Sequence, residues 1–202
     1  MTIVFAEALP PEIQETGAIM REDLQQTLGK SHINPAELST FQRILLTTDG
    51  TLTHILEAYL YEPIQVVKLS EKLTTLTQDI KVMDLPKGTE VIARKILLRG
   101  RISRRNFLYA ESILVPARLE KKFRDELLKT KTPIGKIWLE HRVETFKEII
   151  DSGKEHNNFL GNYFGVETET DFFFRTYCVY SNRQATMMIT EKFPASFFTK
   201  DF

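Results

Sequence analysis

Cysteine is almost missing from this chain. Cys178 is the single one in 202 residues, which excludes an intramolecular disulfide and any cysteine-built metal site. It sits in a strand-like run, where a small buried hydrophobe is the expected role rather than a nucleophile. Histidine is sparse too: His32, His54, His141 and His156 lie far apart, with no metal-ligand spacing among them. No excess of charge of one sign exists either. Lys and Arg total 27 against 27 Asp and Glu, and the pI is near 6.9, so nothing announces a nucleic-acid or membrane surface. No apolar run is long enough to span a bilayer and no signal peptide opens the chain. A soluble, cytoplasmic monomer without membrane insertion is therefore expected. The sequence also lacks a GxSxG elbow, a P-loop, a dinucleotide fingerprint after a strand, and HExxH or CxxC pairs. No metal or organic cofactor is expected.

What is present begins near the end of the chain. Ala185-Thr-Met-Met-Ile-Thr-Glu191-Lys-Phe-Pro194 reads as a strand, β-branched and apolar until Pro194 stops it. Side chains alternate along a strand, so Ala185, Met187, Ile189, Glu191 and Phe193 share one face. Glu191 is then a carboxylate on an apolar face, where an unpaired charge is expensive. A second strand, Glu90 to Arg99, has the same anomaly with the opposite sign. Ile92, Arg94, Ile96 and Leu98 form its more apolar face, with Arg94 in the middle, while Lys95 is the natural solvent charge. Two alternatives follow. Arg94 and Glu191 form a structural salt bridge, or they bracket a polar ligand at opposite ends of a closed pocket.

The remaining elements fit around these two strands. The length suits one domain over residues 1–202, with residues 1–34 a peripheral segment that includes a modest helix from Pro11 to Leu28. A short helix is expected over Ala36–Leu46, then a Thr47–Gly50 turn that caps a helix over Thr51–Tyr61. Leu52, Ile55, Leu56, Tyr59 and Leu60 make the apolar stripe of that helix, leaving His54 and Glu57 to solvent. A strand over Ile64–Leu69 follows, and Ser70–Leu85 is ambiguous between loop, helix and short strand. The basic turn Gly100–Asn106 joins the Arg94 strand to Phe107–Val115 as a hairpin; its arginines read as an exposed tip, since no Gly-rich cradle accompanies them. Pro116 opens a helix over Ala117–Lys129 with Leu119, Phe123, Leu127 and Leu128 buried. Thr132–Lys136 is a restricted loop whose Gly135 permits close backbone approach. Ile137–Ile150 is partly helical with Trp138 in the core, and polar Asp151–Gly165 is a loop. The last hairpin pairs Phe172–Tyr180 with the Glu191 strand. Strands cluster in hairpins, so the fold class is α+β: a largely antiparallel sheet with helices packed on it. No repeat or low-complexity tract is present.

Four pieces carry a family resemblance: Leu45-Leu-Thr-Thr-Asp-Gly-Thr-Leu-Thr53, the Arg94 strand with its hairpin ending at Pro116, Thr132-Pro-Ile-Gly-Lys136, and Ile189-Thr-Glu-Lys-Phe-Pro194. In this order, over residues 45–198, the chain resembles the chorismate pyruvate-lyases, which convert chorismate to 4-hydroxybenzoate and pyruvate. The resemblance implies a chorismate lyase-like sheet with a ligand pocket closed by helical flaps. It implies that Arg94 holds the ring carboxylate and Glu191 meets the oxygen at the para end, with backbone N–H contacts from Ile134 and near Leu52. The Asp49-Gly50-Thr51 turn admits more than one register for Leu52. Arg175 is a candidate second cation for the enolpyruvyl carboxylate. The implied reaction is an elimination driven by aromatisation and feeding quinone head-group synthesis; whether Glu191 also moves a proton stays open. The alternative is a non-catalytic aromatic-acid-binding domain of the kind used by bacterial transcription regulators. Against it, the segment before Leu45 is too short and weakly patterned for a helix-turn-helix.

Overall fold

The computed structural model describes residues 33–129, 134–141, 143–156, 159–167 and 170–200. The helix expected over residues 11–28, the 132–133 part of the restricted loop and the side chain of Trp138 lie outside this description. After a 3-10 turn at Pro35–Glu37, helix α1 spans Thr40–Thr47. It starts later than the hydrophobic pattern suggested because Ser39 and Gln42 form a capping box. The Gln42 N–H donates to the Ser39 hydroxyl, and the Ser39 N–H donates to the Gln42 side chain. Helix α2 spans Leu52–Leu60, presents the expected stripe to the core, and ends at Tyr61 in the left-handed region.

Strand β1, Ile64–Thr75, runs well past Leu69. Its continuation was ambiguous in sequence because this is an edge strand, where apolar alternation is not required, and a register shift between Lys68 and Ser70 breaks the period. Strands β2 (Glu90–Gly100) and β3 (Asn106–Leu114) form the expected hairpin, with residues 101–105 exposed at its tip. Pro116 opens a 3-10 turn, Pro116–Arg118, so helix α3 covers only Lys121–Lys129. Helix α4 is Ile134–His141, which puts Gly135 and Lys136 in its first turn instead of in a loop. Strand β4, Phe146–His156, replaces the expected helix end and polar loop. It forms the opposite sheet edge, carries a register shift between Ile149 and Asp151, and has an exposed, polar character that hid it. The short α5 (Gly161–Phe164), β5 (Asp171–Ser181) and β6 (Gln184–Pro194) complete the chain.

All pairings are antiparallel, in the order β1-β2-β3-β6-β5-β4. The main core lies on one face, where Leu45, Leu46, Leu56, Phe123 and Ile137 from the helices meet Leu98, Leu108, Met187 and Phe193 from the strands. The reverse face is not simply solvated. Two smaller clusters cover its ends, one holding Val91, Cys178 and Met83, the other Leu97, Tyr109 and Phe172. Val91 and Leu97, which alternation puts on the same face as Lys95, are therefore buried, whereas Lys95 itself is exposed. Cys178 is fully buried as a packing residue.

Candidate functional site

Strand register assembles the site. Arg94, Ser112, Ile189 and Tyr177 stand opposite one another across β2, β3, β6 and β5, and the adjacent row is Ile96, Ala110, Glu191 and Arg175. Directly opposed residues share a face, so both rows point to the helix-covered side. Arg94 and Glu191 are offset by two strands and two residues, which puts their α-carbons about 12 Å apart by strand geometry. Between them β3 offers only Ala110 and Ser112. These two small side chains form the floor of a cavity with about 570 Å³ of atom-free space, mouth included. Val66, Leu98, Leu108 and Ile189 wall it with hydrocarbon. Its roof is Thr51, Leu52 and Thr53, at the start of α2, with Ile134, the first residue of α4. No Thr51 side-chain cap covers the α2 N-terminus, which therefore presents backbone N–H groups and partial positive charge toward the cavity.

Arg94 is 2% exposed, and none of its three guanidinium nitrogens has a hydrogen-bond partner. Glu71, opposite it on β1, brings Oε2 to 3.4 Å from Nε without completing a hydrogen bond. Burial pulls the guanidinium below the ordinary arginine value, and Glu71 offsets part of that. Buried donors are nearly always satisfied, and a guanidinium offers a planar fork that matches a carboxylate. A guanidinium fork with unsatisfied donors at the end of a largely apolar cavity is the arrangement of an anion site.

Glu191 sits at the other end, 7% exposed and already engaged. Arg175 Nε donates to its Oε2 at 2.7 Å, and the Tyr177 hydroxyl donates to its Oε1 at 3.1 Å. Burial, reinforced by the Glu191 charge, holds the Tyr177 phenol well above its usual value, so it stays a donor. Arg175 also donates to the Thr48 carbonyl ahead of α2 and stacks over Tyr177 at 5.1 Å. The two strand charges therefore do not pair with each other: Glu191 takes Arg175 and Arg94 takes Glu71.

Of the residues nominated from sequence, Arg94, Glu191, Leu52 and Ile134 line this one cavity. Arg175 does not line it and lies behind Glu191. Sequence reasoning missed Glu71, Lys147, Tyr177, Ala110 and Ser112. The last two had a readable signal, the smallest inward residues of a strand otherwise carrying Leu. Glu71 and Lys147 were hidden because the continuation of β1 past Leu69 is ambiguous in sequence and the start of β4 falls in a segment that reads as partly helical. Among the described residues no group of three His, Cys, Asp or Glu side chains is placed to hold a metal ion, and no helix is long and apolar enough to cross a membrane.

Residues 46–199 match the family described as chorismate pyruvate-lyase, Rv2949c-like. The chain belongs to that family of carbon–oxygen lyases. A chorismate pyruvate-lyase of Mycobacterium tuberculosis (strain ATCC 25618 / H37Rv) is 31% identical over 170 residues, covering 77% of this chain and 80% of the relative. Another, from Mycobacterium leprae (strain TN), is 35% identical over 123 residues, 61% of this chain, and the match spans only 58% of that relative's length. Among solved structures the chain is similar to PhnF from Mycobacterium smegmatis, with TM-score 0.56 and 12% identity over 73% of this chain and 64% of PhnF. The effector domain of that protein gives 0.55 and 13%, covering 72% and 88%. At such identity these structures show the fold. The chain thus shares its antiparallel sheet with that effector domain and with a GntR-family transcriptional regulator from Bacillus cereus, which has TM-score 0.52 and 7% identity over 69% of this chain and 96% of the regulator.

Proposed function

We propose that this chain is a chorismate pyruvate-lyase, releasing pyruvate from chorismate to leave 4-hydroxybenzoate. The observation that carries the reading is the buried, unpartnered Arg94 fork facing Glu191 across a narrow apolar cavity. In this reading the ring carboxylate docks on Arg94, Ala110 and Ser112 leave room for the flat ring, and Glu191 accepts the 4-hydroxyl proton in a hydrogen bond. The ether C–O bond at ring C3 breaks and its electron pair leaves on oxygen. The hydrogen at ring C4 departs as a proton, and the enolpyruvate gains one at its methylene carbon to become pyruvate. Aromatisation drives the step, so the protein's task is to select the reactive conformer, exclude water and stabilise charge on the leaving group. Arg175 and Tyr177 fix the Glu191 carboxylate in place.

The test is turnover of chorismate by the purified chain in excess chelator, following both pyruvate and 4-hydroxybenzoate. Equal formation of the two supports the lyase. Binding of 4-hydroxybenzoate without turnover supports the regulator-like binding domain instead, the reading the shared fold keeps in play. Quinone head-group synthesis is the fate proposed for the product, and ring-labelled chorismate fed to cells carrying the gene tests it.

A further inference from the structure

Arg94 accounts for one carboxylate, but chorismate carries two. The second belongs to the enolpyruvyl ether on ring C3, next to the hydroxyl-bearing C4 and far from the ring carboxylate on C1. With C1 at Arg94 and the hydroxyl at Glu191, the second carboxylate must lie at the Glu191 end, to one side of the ring. Arg175 is at that end, but its Nε faces Glu191 and its Nη1 faces the Thr48 carbonyl, and it does not line the cavity.

We propose that Lys147 receives the enolpyruvyl carboxylate and offsets the charge that develops as this group departs. The inference rests on the chorismate reading and names a residue that reading left out. Lys147 lines the same cavity as Arg94 and Glu191. It stands opposite Val179 on β4, and Val179 belongs to the main core, so Lys147 points to the helix-covered face. Its ammonium touches both the turn before α2 and the sheet. It donates to the Gly50 carbonyl at 3.1 Å, in the turn that leads into α2, and lies 5.7 Å from the centre of the Tyr177 ring. Tyr177 is itself bonded to Glu191, which fixes the ammonium to the Glu191 end. The open start of α2, at Thr51 and Leu52, borders the same space and adds partial positive charge to that corner. Burial pulls the Lys147 ammonium below the ordinary lysine value; Glu191 and Asp49 act against this and Arg175 adds to it. A bound carboxylate would raise it again, so substrate binding and the charged state reinforce each other.

The decisive feature is that 4-hydroxybenzoate lacks the group Lys147 is proposed to hold. Lys147→Met and Lys147→Arg are compared with wild type for chorismate kcat/KM, 4-hydroxybenzoate Kd and thermal melting. The expected result for folded Lys147→Met is a loss in kcat/KM on the order of 100-fold, while 4-hydroxybenzoate affinity changes by less than about threefold. Lys147→Arg, which keeps the charge, should recover part of the loss. A folded Lys147→Met with wild-type kcat/KM overturns the proposal, as does an equal loss of substrate turnover and product affinity in both variants. Wild-type protein that binds 4-hydroxybenzoate but never turns over chorismate overturns the lyase reading, and this assignment with it.

Discussion

Arg94 and Arg175 are each 2% exposed, lie on the same face of one sheet, and belong to adjacent rows of the same strand register. Their surroundings differ completely. Arg175 directs Nε to a carboxylate, Nη1 to a backbone carbonyl and its plane over a tyrosine ring. Arg94 has a carboxylate nearby and no completed hydrogen bond at any nitrogen. A buried cation whose donors are all matched is part of the fold, and removing it strands its partner. A buried cation whose donors are unmatched raises the energy of the empty protein and lowers that of a complex with an anion. Type and burial alone do not separate the two arginines; the state of their donors does.

The sharpest way to break this comparison is to remove each arginine in turn. Arg175→Met leaves Glu191 buried with one hydrogen bond, and a buried pair cut this way costs about 3–5 kcal/mol. In a chain of this size that corresponds to a fall in Tm of roughly 6–20 °C, measured by calorimetry without ligand. If Arg175→Met melts like wild type and loses only ligand affinity, the two arginines have the same role and the contrast fails.

Arg94→Met should do the reverse. Ligand-free melting stays at or above the wild-type value, because an unsatisfied buried charge is replaced by hydrocarbon, and Arg94→Met with Glu71→Gln clears the remaining carboxylate as well. The affinity for 4-hydroxybenzoate falls by about 2–5 kcal/mol, since the ligand carboxylate would be desolvated without a partner. Titration calorimetry reads the loss. Wild-type affinity in folded Arg94→Met would remove this residue from the site.

Sequence reading reached Arg94 and not its setting, and the reason is physical. A charge in the middle of an apolar strand face violates alternation, so both Arg94 and Glu191 stood out. The central strands β2, β3, β5 and β6 were legible because burial on at least one face imposes that alternation on them. The edge strands are under no such demand. The second half of β1 is ambiguous in sequence and β4 reads as a helix end followed by a polar loop, and with them went Glu71 and Lys147, one at each edge of the sheet. Arg175 shows the converse limit. Its inward position was legible, but which atoms its guanidinium satisfies depends on the Thr48 carbonyl, 127 residues away in sequence. Pairing across the sheet, rather than periodicity along a strand, decides which charge is left available.

A smaller perturbation asks whether the gap between the two ends matters as much as the ends. Ala110→Leu adds bulk to the floor where the ring is proposed to lie and leaves both arginines untouched. Filling an existing cavity should change melting little. Ring binding should weaken by about 1–3 kcal/mol, the scale on which a pocket senses a few misplaced carbons. Unchanged 4-hydroxybenzoate affinity in Ala110→Leu would mean that the ligand lies elsewhere.

The smallest effect is expected on the reverse side of the strand that carries Arg175. Tyr177 faces the cavity, and its neighbour Cys178 faces the rear cluster with Met83 and Val115. Burial, helped by Glu148, pushes the Cys178 thiol up to about 11. At pH 8 the thiolate fraction is then about one in a thousand, and even that fraction is shielded by packing. Native protein should resist a maleimide for as long as it stays folded and react rapidly once denatured, when the thiol returns to about 8.5. Cys178→Ala should therefore leave kcat/KM and the opposed responses of Arg94→Met and Arg175→Met in place, with only a modest change in melting. The control has a second use. If native Arg175→Met protein now labels at Cys178, the sheet has opened through the region that Arg175 holds together, and its loss of stability is local to β5. If labelling stays slow while Tm falls, Arg175 acts on the global unfolding equilibrium instead.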